Sequence, residues 1–133
     1  MAHASCELDQ PNSFRPSEGL LSIGVHIDNQ IANNSGNSCS YDLIHVNRIL
    51  EKLLNESKAI ELESLCISMD EKVWNIRIEI YILENDGCFM DCASIASLLS
   101  LDYLEIPKLE KVRNSVVINH SPLLVTYAVF DNM

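Results

Sequence analysis

The chain has 133 residues, 47% of them hydrophobic, and a formal net charge of −10 from 19 acidic and nine basic side chains. That length and composition set the expectation at one folded domain with its own core and exclude a wholly disordered chain. The acidic balance argues against solitary binding to nucleic acid, because phosphate contacts need clustered Lys and Arg. No run of eighteen apolar residues is present, so no membrane-spanning helix is expected. The opening MAHASCELDQ lacks a basic region followed by an apolar stretch and does not read as a signal peptide.

In chain order, a short strand is predicted around Cys6-Glu7-Leu8, followed by a loop from Gln10 to Gly19 that carries Pro11 and Pro16. Leu20 to Ile27 alternates loosely and predicts a second strand. Asp28 to Ser40 is polar, with Asn33 to Ser38 at its centre, and reads as a surface loop. Tyr41 to Ser57 is amphipathic: Leu43, Val46, Leu50 and Leu53 recur at helical spacing, Ser40 stands at the N-cap position, and Arg48, Glu51, Lys52 and Glu56 take the solvated face. Leu62 to Met69 predicts a strand that turns through Asp70-Glu71 into a longer one, the two pairing antiparallel.

Residues 71 to 101 carry the clearest pattern. Trp74, Ile76, Ile78, Ile80 and Ile82 alternate with Asn75, Arg77, Glu79 and Tyr81, the period of a strand buried on one face. A tight Asn85-Asp86-Gly87 turn then delivers a small-residue helix from Asp91 to Leu101, which ends ahead of Pro107. Val116 to Ile118 and Leu123 to Phe130 predict two further strands, broken by Pro122. The order strand, strand, helix, strand, strand, helix, strand, strand predicts an α+β layer fold with helices on one face of a mixed sheet. The last apolar strand lacks a covering element, so a fragment, a truncated gene product and a domain completed by a partner all stay open.

Five cysteines stand at 6, 39, 66, 88 and 92, with no CxxC pair. Cys66 and Cys92 lie in apolar runs and read as buried thiols, and a zinc site on Cys88 and Cys92 has too few ligands. Glu84, Asp86 and Asp91 are close in sequence, but Asp86 is explained by the Asp-Gly turn and Asp91 by the start of the helix. His3, His26, His45 and His120 have no adjacent nucleophile. Trp74 is assigned to the core and Arg77 to the solvent face. No phosphate-cradling glycine loop is present.

Several segments carry a resemblance: Cys6-Glu7-Leu8, Arg15-Pro16-Ser17-Glu18-Gly19, Val46-Asn47-Arg48-Ile49-Leu50-Glu51, Glu63-Ser64-Leu65-Cys66, Glu71 to Arg77, Asp86-Gly87, Asp91 to Ala96, and Ser121 to Phe130. In this order they resemble the ribonuclease PH family and, within it, ring subunits of the RNA exosome. The resemblance implies a ribosomal-protein-S5-like fold, present here as one partial domain over residues 1 to 133 that lacks family segments at both ends. It also implies neighbouring ring subunits and cap proteins as partners, RNA passing through the assembled channel, no membrane, and a place in the nucleus, nucleolus and cytoplasm.

Active members hold inorganic phosphate at a Gly-Thr-Arg-type turn before the helix and carry catalytic aspartates further on. Here that turn reads Asp86-Gly87-Cys88-Phe89-Met90-Asp91, with neither the Thr nor the Arg, and no basic residue stands between Arg77 and Lys108. An anion needs donors and positive charge, which Phe89 and Met90 do not supply. The reading is therefore a catalytically silent ring subunit: catalytic residues none, cofactor-binding none, metal none, RNA-contacting residues unassigned. An active phosphate-dependent 3′-to-5′ exoribonuclease completed by other groups is the alternative. A small acidic domain with thiol chemistry at Cys88 is a third.

Overall fold

A computed structural model describes residues 1–27, 39–68, 71–84, 87–107 and 114–131. Residues 28–38 of the predicted surface loop Asp28 to Ser40, residue 70 of the predicted Asp70-Glu71 turn, and the turn residues Asn85 and Asp86 lie outside the described residues. The main sheet has strand order β1 (Ala2–Asp9), β4 (Lys72–Ile82), β2 (Leu20–Ile27), with β3 (Cys66–Ser68) also pairing β4. β4 runs antiparallel to β1 and β3 and parallel to β2, which makes the sheet mixed. Helix α1 (Cys39–Glu51) runs on into a π-helical turn at Lys52–Glu56, and α2 (Phe89–Asp102) follows β4. A two-stranded ribbon, β5 (Glu105–Ile106) with β6 (Asn114–Ser115), comes next.

Register explains the core. Cys6, Ile76 and Leu21 stand in one row across the sheet; Ala4, Ile78 and Ile23 in the next; Ala2, Ile80 and Val25 in a third. All nine share one face, because side chains alternate along each strand. Ile76, Ile78 and Ile80 cluster with Val46, Leu50 and Leu54 from the first helical segment and with Ala93, Leu98 and Leu101 from α2. Both helices therefore cover the same face, as the alternation in β4 predicts. Trp74 is half-buried and packs on this core.

Four expectations are corrected. β1 extends over the eight residues Ala2–Asp9, because every one of them finds a partner on β4. The first helix starts at Cys39, which puts Ser40 inside it and not at its cap, and its last turn widens to a π-helix before Lys58 stops it at φ 54°. Leu62 to Met69 does not form one strand. Leu62–Leu65 is a 3₁₀ turn, in which both the amide and the hydroxyl of Ser64 donate to the Glu61 carbonyl, at 3.2 and 2.7 Å. A serine offering the backbone such a local partner competes with ladder formation. Only Cys66–Ser68 joins β4, with a register shift between Cys66 and Ser68.

The fourth correction concerns the end of the chain. Ile118 makes an isolated antiparallel bridge to Ile60, flanked by Glu61 N–H to Val117 O (3.1 Å) and Asn119 N–H to Ala59 O (2.8 Å). The predicted strand Leu123 to Phe130 joins no ladder. Leu124 is half-buried on the core, while Leu123, Val125, Tyr127, Val129 and Phe130 are 60–87% exposed.

Candidate functional site

The stretch where the resemblance places an anion in active members begins where Gly87 and Cys88 deliver α2. Both residues have positive φ, 100° and 52°. Glycine accepts that conformation freely, whereas a cysteine there is uncommon. Cys88 is the N-cap residue, yet its side chain caps nothing. Phe89 and Met90 follow as the first two helical residues, and both pack against the core. Asp91 sits in the first turn, in line with the sequence expectation that it serves the start of the helix. A carboxylate there is favoured by the helix dipole.

Asp91 does more than offset the dipole. Its Oδ2 accepts from the Thr126 backbone N–H at 3.0 Å, and its Oδ1 accepts from the Thr126 hydroxyl at 2.8 Å. One turn along α2, the Ser94 hydroxyl accepts from the Leu124 N–H at 3.4 Å and donates to the Asp91 carbonyl at 2.7 Å. Asp91 and Ser94 are three apart and so share a helix face. Leu124 and Thr126 are two apart in sequence, and the N–H groups of both point at this face of the helix. Two side chains of the helix thus replace a neighbouring strand as acceptors. Sequence reasoning found Asp91 but missed Thr126, since nothing in the local pattern links residues 35 apart.

The inner side of α2 is built for close approach. Ser94 and Ser97 are fully buried, and Ser97 and Ser100 donate back to the carbonyls three residues earlier, each at 2.8 Å. These hydroxyls bring their own acceptors, so burying them strands no polar group.

Other candidates stay dispersed. Glu84 is exposed, Asp86 lies outside the described residues, and Asp91 is engaged with Thr126. Among the described residues, no three His, Cys, Asp or Glu side chains converge as metal ligands would. Cys92 is exposed, which corrects its assignment as a buried thiol: it lines an open crevice between α2 and the end of β4. Cys66 is half-buried and Cys88 exposed. Burial pushes the Cys6 thiol above the ordinary cysteine range, against a smaller lowering by a hydrogen bond with its own backbone. His3, His45 and His120 are exposed and far apart in the chain.

His26 and Arg77 meet on the outer face of the sheet. His26 Nε2 is in hydrogen-bond contact with Glu79 Oε2, and Arg77 Nε lies 3.9 Å from the other oxygen of the same carboxylate. Gly24 makes this possible: a Cβ there would stand 2.5 Å from the Glu79 carboxylate. The Tyr81 ring stacks on His26 with centroids 5.0 Å apart and planes at 23°.

No described helix is long and apolar enough to cross a membrane. The fold is that of two solved assemblies, an archaeal exosome core (TM-score 0.69, 20% identity, covering 92% of this chain and 45% of that one) and an Archaeoglobus fulgidus exosome with RNA bound to its active site (TM-score 0.72, 22% identity, 80% and 42%). The chain is 33% identical over 144 residues to exosome complex component RRP45 of Danio rerio, covering 98% of itself and 37% of that protein. It is 29% identical to the Saccharomyces cerevisiae component of the same name, covering 96% of itself and 47% of that protein. It thus spans between about a third and half the length of the relatives it matches. Residues 1–107 match domain 1 of the 3′ exoribonuclease family, the ribonuclease PH family, and the chain belongs to that family.

Proposed function

We propose that this chain is a structural, catalytically inactive ring subunit of an RNA exosome, of the polymyositis/scleroderma autoantigen type. It supports 3′-to-5′ RNA processing and degradation by the assembled complex, and residues 1 to 133 act as a single partial ribonuclease PH-like domain. Its partners are other ring subunits and cap proteins, with RNA in the shared channel. Its place is the nucleus, including the nucleolus, and the cytoplasm. It has no catalytic, cofactor-binding or metal-binding residue of its own.

The observation that carries this reading is the occupancy in front of α2. A phosphate would need donors and positive charge. The chain instead places Phe89 and Met90 against the core and a carboxylate whose two oxygens accept from Thr126. Asp91 repels an anion, and Thr126 has spent its two donors on it.

Reconstitution of a ring containing this chain, followed by a phosphorolysis assay on single-stranded RNA, tests the reading. Substituting Cys88, Phe89, Met90 and Asp91 one at a time should leave phosphate-dependent turnover within about twofold. Loss of turnover with the ring intact would show that this chain supplies catalytic groups and would establish the active-subunit alternative.

A further inference from the structure

The outer face of the sheet has no role in that reading, and its two ends differ. At one end, Glu7 and Asp9 of β1 stand in register with Asn75 and Val73 of β4, and Asp9 accepts from the Asn75 amide at 3.2 Å. The other end holds Tyr81, His26 and Arg77, with Glu79 between them. Asn75 and Tyr81 are six positions apart on β4, about 20 Å of strand. The exposed rings are therefore confined to one end of this surface, where the single carboxylate of Glu79 is already engaged by His26 and Arg77.

The aromatic end is open to solvent. Tyr81 is 40% exposed, and the side chains of His26 and Arg77 are 53% and 51% exposed. Two rings are already stacked, so a third planar ring can extend the pile without ordering a loop. Arg77 and His26 share the single carboxylate of Glu79, which leaves the guanidinium more donors than that contact uses. A planar ring system beside an anion is the chemistry this end complements. A nucleotide offers both, and an open sheet with exposed rings is a known way to hold single-stranded RNA.

We propose that Tyr81, His26 and Arg77 form a platform for one base and its adjoining phosphate of a single-stranded RNA. The choice of RNA as occupant rests on the exosome reading; the stack and the local charge do not. The base lies on the Tyr81–His26 stack, and Arg77 meets the phosphate. The net charge of −10 opposes long-range attraction, so affinity comes from short-range stacking and one charged contact and is weak in the isolated chain.

The test is fluorescence anisotropy of labelled ten-nucleotide oligouridine and oligoadenosine titrated with the complete chain at low salt. Tyr81→Ala should weaken binding by about five- to a hundredfold, while Tyr81→Phe stays within about twofold of the parent. Arg77→Ala should weaken binding and reduce the steepness of its salt dependence by about one phosphate contact. Glu79→Gln should tighten it, because it removes a negative charge beside Arg77 and the incoming phosphate. Circular dichroism confirms that each variant is folded. Absence of binding by the parent chain, or equal binding by the parent, Tyr81→Ala and Arg77→Ala, overturns the proposal. So does impaired ring assembly by Tyr81→Ala with unchanged RNA affinity, which would make this face a protein interface. Failure of the parent chain to enter a ring at all would instead defeat the exosome reading.

Discussion

β4 and the segment Leu123 to Phe130 both read as strands in sequence, the first by alternation and the second as an almost continuous apolar run, yet the chain treats them differently. β4 is hydrogen-bonded to β1 on one side and to β2 and β3 on the other, and Ile76, Ile78, Ile80 and Ile82 are buried beneath two helices. The later segment is hydrogen-bonded to α2 through Asp91 and Ser94, Leu124 packs on the core, and five of its eight residues expose large apolar side chains. Apolar patterning states that a segment suits a strand. It does not state whether a partner strand or a covering helix is within reach, and that depends on the rest of the topology.

The largest expected effect that tests this contrast is a pair of truncations. Ile78 is 0% exposed at the centre of the core. Ile78→Ala should destabilise the chain by about 2–5 kcal/mol, since it removes buried methylenes and leaves a cavity. Val125 is 76% exposed, and Val125→Ala should change stability by no more than about 0.5 kcal/mol. Urea unfolding midpoints of the two variants decide it. Comparable losses would mean that the later segment is packed as firmly as β4.

Next in size is the clasp itself. Asp91→Ala removes both acceptors for Thr126 and the carboxylate at the start of α2. The cost should be about 1.5–3 kcal/mol, the range of hydrogen bonds to a charged group. Amide hydrogen exchange should quicken at Leu124 and Thr126 and stay unchanged at Ile78. Acceleration spread evenly over both regions would make Asp91 a contributor to global stability and not a local tie.

A third effect is on association. Leu123, Val125, Tyr127 and Val129 are exposed apolar side chains on one segment, and the isolated protein should self-associate through them. Sedimentation velocity should show a concentration-dependent shift that disappears when all four are changed to Ser. A monomer at every concentration would show that these side chains are not adhesive.

These particulars mark how far the sequence could be read. The fold class, the single covered face and the long central strand were legible because each rests on a local period or on hydrophobic spacing along one element. The 3₁₀ turn at Leu62–Leu65 was not, because a run of mixed apolar residues suits a strand equally well until Ser64 takes the Glu61 carbonyl. At the site, Asp91 was legible as a first-turn carboxylate. Thr126 was not, since the pairing is made by tertiary approach of a segment that carries no signal for it. Cys92 was misread for a related reason: α2 is apolar on several sides, so its pattern does not say which side faces the sheet.

The smallest expected effect lies in the firmly held region, where Cys6 of β1 stands opposite Ile76 of β4. Burial raises the Cys6 thiol above its ordinary range. An acid whose folded-state value is raised favours folding fully below the unfolded value and loses that contribution as pH climbs through the folded one. Stability should therefore hold through neutral pH and decline above the ordinary thiol range of about 8.5. Cys6→Ala should flatten that alkaline decline, read as the difference in urea midpoint between pH 7 and pH 10. Cys88, exposed at the start of α2, serves as the contrast: Cys88→Ala should leave the decline as it is. Equal flattening by both substitutions would place the alkaline loss in general thiolate chemistry and not in the packing of β1 on β4.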